Sequence, residues 1–146
     1  MNKLLKSCSI CLIIIAMISA TAFAAVPNDP ADPQSNSYIW KTKVSIVALG
    51  NGVIEVDCGV TGTGTMEKIG IRKIEFRQKD GTLLESHSYT EPGYEYLMGY
   101  NTFSHHVGVP FQGTAGESYY AIVYFDAGKG NGSGGVCMES SLITAK

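Results

Sequence analysis

The stretch Val53-Ile-Glu-Val-Asp-Cys-Gly-Val60 alternates apolar and polar residues more cleanly than any other part of the chain. Its apolar side chains fall on one face: Ile54, Val56, Cys58 and Val60. Because successive side chains of a β-strand point to opposite faces of the sheet, this pattern predicts a strand with one buried face. Cys58 is therefore predicted to point into the core.

On both sides of this stretch the chain consists of short runs rich in Val, Ile, Tyr and Phe, separated by most of its 17 glycines. No segment keeps a helical period. Seven strands are predicted, at about 39–49, 53–60, 69–76, 83–89, 102–111, 119–126 and 136–144. Seven short strands in a chain of this length predict an all-β protein, a seven-stranded immunoglobulin- or fibronectin type III-like β-sandwich.

Two of these strands carry patterns that restrict their position. In the third, Ile69 and Ile71 share one parity while Ile74 and Phe76 share the other, which predicts either a β-bulge or coverage on both faces. The strand at 119–126 is apolar on both faces, which predicts a central place in the sheet.

Parity and glycine content give further expectations for the edges of the fold. In the first strand, Trp40 has the parity of Val44 and Ile46, so it is predicted to face the same way as they do. The segments 61–65 and 127–135 are rich in glycine and are predicted to be loops, the second a long flexible hairpin connection.

The N-terminus has the pattern of a secretory signal peptide. Lys3 and Lys6 precede a short apolar run, and Ala22 and Ala24 supply the small residues of a cleavage site after residue 24. Residues 25–37 are polar and contain three prolines, which predicts a flexible leader before a single domain at 38–146. We expect a free, secreted, extracellular protein with no stable membrane anchor after cleavage.

Removal of the signal changes both the charge and the cysteine count. Loss of two lysines leaves nine basic against 13 acidic residues, a net charge of −4. An acidic surface repels phosphate backbones, so a nucleic-acid partner is not expected. Cys58 and Cys137 are the cysteines that remain, and thiols in an oxidising compartment usually pair, which predicts a disulfide. Cys137, however, has the opposite parity to Val136 and Met138. Either the Cys137 side of the last strand faces the core, or the disulfide lies at the end of that strand.

Two resemblances add to this interpretation. The segment Gly113-Thr-Ala-Gly-Glu-Ser-Tyr119 resembles the turn before the sixth strand of fibronectin type III domains, where a tyrosine corner forms. More broadly, Val60-Thr-Gly-Thr-Gly-Thr-Met66, Met98-Gly-Tyr-Asn101 and Tyr124-Phe-Asp-Ala-Gly128 resemble a functionally uncharacterised family of small secreted proteins of Gram-positive bacteria. This resemblance implies a compartment and a sandwich but no activity, and the two cysteines are not part of the family pattern.

The residue types that carry catalysis or bind metals are present without the spacing that such sites need. His105 and His106 are strand neighbours that point to opposite faces, and His87 alone adds too few ligands for zinc. Ser86 and Ser104 each adjoin a histidine, but strand neighbours do not face each other, and no nucleophile elbow is present. We therefore expect no enzyme activity, no catalytic residue, no metal and no cofactor.

The most informative cluster consists of four tyrosines within twelve positions: Tyr89, Tyr94, Tyr96 and Tyr100. Tyrosine gives binding loops a rigid amphipathic surface, so a surface location would make this cluster a ligand-binding face. The alternative is that part of the cluster folds back onto the core. The leading hypothesis is a secreted, non-catalytic recognition module for a glycan or protein partner, and the alternative is a secreted antimicrobial or toxin-like effector.

Overall fold

A computed structural model describes residues 37–146, so the predicted signal peptide and all but the last residue of the predicted leader lie outside the described residues. The described chain forms seven strands and one 3-10 helix, Glu95–Leu97. The strands are β1 (Ile39–Gly50), β2 (Val53–Gln78), β3 (Leu83–Ser88), β4 (Met98–Gln112), β5 (Ser118–Lys129), β6 (Gly132–Glu139) and β7 (Ile143–Thr144). None of these residues belongs to a helix that could span a membrane.

The fold is organised around β2, which is 26 residues long. Its first part pairs with β1 on one side and β4 on the other, both antiparallel. Its second part pairs with β5 on one side, and with the start of β4 and then β3 on the other. β5 also pairs with β6 and β7, so all seven strands belong to one hydrogen-bonded antiparallel sheet.

β2 bends sharply between these two parts. Residues 54 and 76 of a straight strand would lie roughly 70 Å apart. Phe111 is opposite Ile54 in the ladder, yet the Phe111 ring stacks on the ring of Phe76 with centroids 4.8 Å apart. The strand must therefore fold back on itself, and the pairing register shifts between Thr61 and Met66, which we call the bend.

The bend converts the single sheet into a curled half-barrel with the core on its concave side. The largest fully buried side chains come from β2, β4, β5 and the 3-10 helix: Phe76, Phe125, Ile54, Ile69, Ile71, Ile74, Leu97, Val56, Val109 and Val123. The prediction of an all-β protein is confirmed. The predicted strands at 53–60 and 69–76 are one strand, and the predicted loop at 61–65 is the bend within it.

The two positional predictions for the strands are confirmed. The register of β2 against β5 shifts between Ile71 and Lys73, which places a bulge at Arg72. This bulge lets isoleucines on both sides of it reach the core, where Ile71 and Ile74 are 1% and 0% exposed. β5 lies between β2 and β6, as its two apolar faces predicted.

The inward placement of Trp40 was wrong. The register of β1 against β2 shifts between Ile39 and Lys41, so Trp40 sits in an irregularity at the start of the strand. Its side chain is 74% exposed, whereas Ile46 is buried and Val44 packs against the core. One extra residue reverses the parity on which the prediction depended.

The prediction of a long glycine loop at 127–135 was also wrong. β5 continues to Lys129 and β6 begins at Gly132, so Gly130 and Asn131 alone connect the two strands. Gly130 has φ +60°, which suits a tight hairpin turn. The other glycines pair within the ladder, including Gly128 with Ser133 and Ala127 with Gly134.

The predicted disulfide is absent, and both cysteines are free. Cys58 is 1% exposed on the concave face of β2, as its alternation predicted. Cys137 is exposed on β6 because its neighbours Val136 and Met138 are the residues that pack against the core. The two thiols therefore lie on opposite faces of the sheet, and the parity of Cys137 already indicated this conflict.

Tyr119 joins the start of β5 to the turn before it. Its side chain is 3% exposed, and its hydroxyl accepts a hydrogen bond from the backbone N–H of Thr114 at 2.8 Å. Its ring meets Phe111 edge-on at 5.4 Å, and a Cβ at Gly113 would come within 2.6 Å of the ring. This is the contact that defines a tyrosine corner.

Candidate functional site

The structure separates the four tyrosines of the predicted binding cluster into two pairs. Tyr89 and Tyr94 are half-buried and pack against the core. Tyr96 and Tyr100 are 44% and 60% exposed. The cluster is therefore part core and part surface, and Tyr96 and Tyr100 are the pair available to a ligand.

Tyr94 is held by His87. The two rings stack with centroids 3.8 Å apart, and the Tyr94 hydroxyl lies 3.0 Å from Nε2 of His87. Glu85 contacts the same nitrogen, and Glu91 Oε2 lies 3.6 Å from Nδ1. Burial raises the pKa of Tyr94, and the two glutamates add to this effect. His87 and Tyr94 thus fix the connection between β3 and β4 to the body of the half-barrel.

Tyr100 forms one wall of an open groove of about 410 Å³ near the bend. In the sheet Tyr100 lies opposite Lys68, and Lys68 lies opposite Gly128. The groove runs from Tyr100 across β2 to the β5–β6 hairpin and is lined by Glu67, Lys68, Tyr100, Gly128, Gly130, Asn131, Gly132 and Ser133. No aliphatic side chain appears among these lining residues, so the groove offers a ring, polar side chains and glycine backbone.

The charge of the groove is set by an ion pair at its floor. Lys68 Nζ lies 2.8 Å from Asp126 Oδ2, and that carboxylate is only 14% exposed. Hydrogen bonding to Asp126 raises the pKa of Lys68 although burial opposes the shift. Because Lys68 is already paired, the exposed carboxylate of Glu67 gives the groove a net negative charge.

Two glycines and a histidine fix the backbone that carries Tyr96 and Tyr100. His105 Nε2 donates a hydrogen bond to the carbonyl oxygen of Tyr96 at 2.8 Å. Cβ atoms at Gly99 and Gly70 would come within 2.7 Å and 3.2 Å of the His105 ring. Replacing either glycine would therefore displace the ring that anchors this segment.

Each of the three histidines contacts a different residue. His105 bonds to the Tyr96 carbonyl, His106 Nε2 lies 2.9 Å from Asp57 Oδ1, and His87 contacts Glu85. Within residues 37–146, no three His, Cys, Asp or Glu side chains are placed to hold a metal ion together.

A second charged cluster covers the convex face of β2. Glu75 is 4% exposed and accepts hydrogen bonds from Arg77 at 2.7 Å and 3.0 Å, while Lys73 Nζ lies 2.5 Å from it. Burial opposes ionisation of Glu75, but the hydrogen bonds from Lys73 and Arg77 lower its pKa overall. Lys73 and Arg77 share the single carboxylate of Glu75, so the cluster carries a net positive charge.

Two exposed aromatic residues were not predicted, Trp40 and Phe103, which are 74% and 61% exposed. Gly128 to Ser133 were predicted to be part of a flexible loop, whereas these residues form the far wall of the groove in the β5–β6 hairpin. An irregular register at the start of β1 is the feature that exposes Trp40. The sequence of β1 alone does not show it, because the register is set by pairing with β2.

Comparisons with protein-family models, with curated proteins and with solved structures found no match to this chain.

Proposed function

We propose that this protein is a non-catalytic recognition module that acts outside the cell and binds a glycan in the groove beside Tyr100. The observation that carries the proposal is a 60% exposed tyrosine ring that walls an open, polar groove. A sugar ring has an apolar face of C–H groups and an edge of hydroxyls. It can stack its face on Tyr100 and direct its hydroxyls at the opposite wall.

The far wall of the groove supports this choice of ligand. Asn131 and Ser133 offer an amide and a hydroxyl, each able to donate and accept hydrogen bonds. The three glycines leave backbone N–H and C=O groups within reach of a ligand. A protein partner would instead favour a desolvated apolar centre, which these lining residues do not offer.

The same proposal relates the half-barrel to the fibronectin type III-like sandwiches. The Tyr119 corner supports this relation, as does the close packing of the two walls, in which Thr42 of β1 donates to the Met138 sulfur of β6 at 2.8 Å.

The proposal is tested by titrating the protein with cello-, chito-, malto- and xylo-oligosaccharides while backbone amide resonances are recorded by NMR. Binding should shift the resonances of Tyr100, Asn131 and Ser133. Tyr100→Ala should weaken binding by roughly tenfold, which corresponds to about 1.4 kcal/mol. Leu142→Ala is the matched control, because Leu142 is 49% exposed but lies next to β7, at the other end of β5.

The absence of any shift across the panel would remove the glycan proposal. Equal weakening by Tyr100→Ala and Leu142→Ala would place the ligand elsewhere. Release of shortened sugars during the titration would contradict the non-catalytic part of the proposal.

A further inference from the structure

All four exposed aromatic side chains of residues 37–146 lie around the bend of β2: Trp40, Tyr96, Tyr100 and Phe103. The other described Phe and Tyr side chains are buried or half-buried. Exposed tryptophan is unusual because its large ring gains much from burial. The bend therefore gathers the exposed aromatic surface of the described chain at one end of the half-barrel.

Strand register places Trp40 and Phe103 on opposite sides of β2 at the same level. Trp40 lies between the pairs Ile39–Gly62 and Lys41–Thr61. Phe103 lies between the pairs Ser104–Thr61 and Thr102–Met66. Because neighbouring strands are about 4.8 Å apart, their backbones are roughly 10 Å apart.

Tyr38 connects the segment that carries Trp40 with the groove beside Tyr100. The Tyr38 hydroxyl rests against Gly132 so closely that a Cβ there would overlap it. Gly132 lines the groove, and Trp40 follows Tyr38 by two residues, which is roughly 7 Å along a strand. Tyr38 therefore joins the far wall of the groove to the chain segment that carries Trp40.

We propose that the binding site extends from the Tyr100 groove to Trp40, and that its ligand is a linear glycan chain several sugar units long. This inference rests on the proposed function and adds the length of the ligand. Trp40 is the second stacking platform, and a chain that spans the bend contacts Tyr100 and Trp40 at the same time.

The residues beside Trp40 favour a sugar chain over a protein or a membrane surface. Thr61 and Ser104 pair with each other across the sheet at this level, and both are partly accessible. Hydroxyl groups thus lie between Trp40 and Phe103. A protein interface centre and a membrane-bound surface both need a continuous apolar patch, whereas a sugar chain alternates ring faces with hydroxyls.

Trp40 is the single tryptophan of the chain, so its fluorescence reports directly on contact with a ligand. The experiment uses one series of oligosaccharides, from the monomer to the hexamer, chosen from the panel above as the sugar that binds. Affinity should rise with length by roughly tenfold in total. Tryptophan emission should change with the long oligomers and stay constant with the monomer.

Trp40→Ala should remove the dependence on length, whereas Tyr100→Ala should weaken binding at every length. Leu49→Ala is the control, because Leu49 lies on the same strand and is 59% exposed but far from the bend. Thermal melts check that Trp40→Ala is folded, and Trp40→Tyr should restore part of the dependence on length.

The outcomes separate the two proposals. If all lengths bind equally well, or if Trp40→Ala keeps the dependence on length, the extended site is wrong while the glycan groove stands. If no sugar binds but lipid vesicles or a protein change the tryptophan emission, the glycan proposal fails and the extended glycan site fails with it.

Discussion

At the scale of single residues, four tyrosines that are close together in sequence differ in burial and in their contacts. Tyr94 gains a stacked histidine and a hydrogen bond, while Tyr100 projects from β4 beside an ion pair. The first side chain contributes to folding and the second is free to contact a ligand. Their substitutions should therefore affect different measurements.

We expect Tyr94→Ala to destabilise the protein by about 3 kcal/mol, because it removes a large packed ring and leaves a cavity beside His87. Tyr100→Ala should change stability by less than about 0.5 kcal/mol, because an exposed ring leaves no cavity. Tyr94→Phe keeps the stacking and loses only the hydroxyl, so it should cost about 1 kcal/mol. Thermal melts measure all three, and equal losses for Tyr94→Ala and Tyr100→Ala would contradict this division.

At the scale of elements, the two parts of β2 form the two walls of the half-barrel, one on each side of the bend. Glycines in β2 allow the backbone of other segments to approach it closely. Gly70 is such a point. A Cβ there would overlap the carbonyl oxygen of Leu97 and come within 2.8 Å of the Met98 Cα. Both atoms belong to backbone at the junction of the 3-10 helix and β4, which cannot rotate away as a side chain could.

Gly70→Ala should therefore destabilise the protein by on the order of 2–3 kcal/mol, through overpacking against that backbone. Gly64→Ala is the matched control in the same strand, because nothing lies within 4 Å of its Cβ position. Chemical denaturation of both variants gives the comparison. If Gly70→Ala is as stable as the unaltered protein, the backbone of Leu97 and Met98 does not pack closely against Gly70.

How far the sequence predicts the structure depends on whether a pattern is local. The alternation at 53–60 and the change of parity between Ile71 and Ile74 lie within single strands, so they correctly predicted a buried Cys58 and a bulge. Trp40 has only one residue of β1 before it, so no parity change was visible, and its exposure is set by pairing with β2.

The candidate site was less predictable for the same reason. Glycines in 127–135 indicate a loop on their own, but β5 supplies a partner that orders them into a hairpin. Which tyrosines are exposed depends on His87, which lies on the preceding strand. The position of the aromatic cluster was therefore visible in sequence, while the groove depended on pairings between distant segments.

At the scale of the whole molecule, the two free cysteines report on different parts of the fold. Burial raises the pKa of Cys58 to about 12, and the charge of Asp57 adds to this effect. Burial also raises the pKa of Cys137, although this thiol is exposed on β6. Since the thiolate is the reactive form, Cys58 should react only when the half-barrel opens.

In the form that lacks residues 1–24, we expect one thiol to react with a maleimide in the folded protein and two to react in denaturant without reductant. Cys137→Ser should remove the fast reaction, and Cys58→Ser should remove the slow one. The slow rate should increase in parallel with global unfolding as denaturant is added. A denatured, unreduced protein with no reactive thiol would instead establish the disulfide.

Because the two parts of β2 pair with different strands, the position of those strands in the sequence determines when the chain can fold during synthesis. The second half of β2 pairs with β5, and the ladder joins Lys68 to Gly128 and Gln78 to Tyr119. A ribosome must therefore have released almost the entire chain before that half of β2 gains this neighbour. Pairings so distant in sequence fold slowly, because the intervening chain must be closed first. One edge of the second half of β2 accordingly stays unpaired in the nascent protein until β5 emerges, although β3 can pair with its other edge earlier.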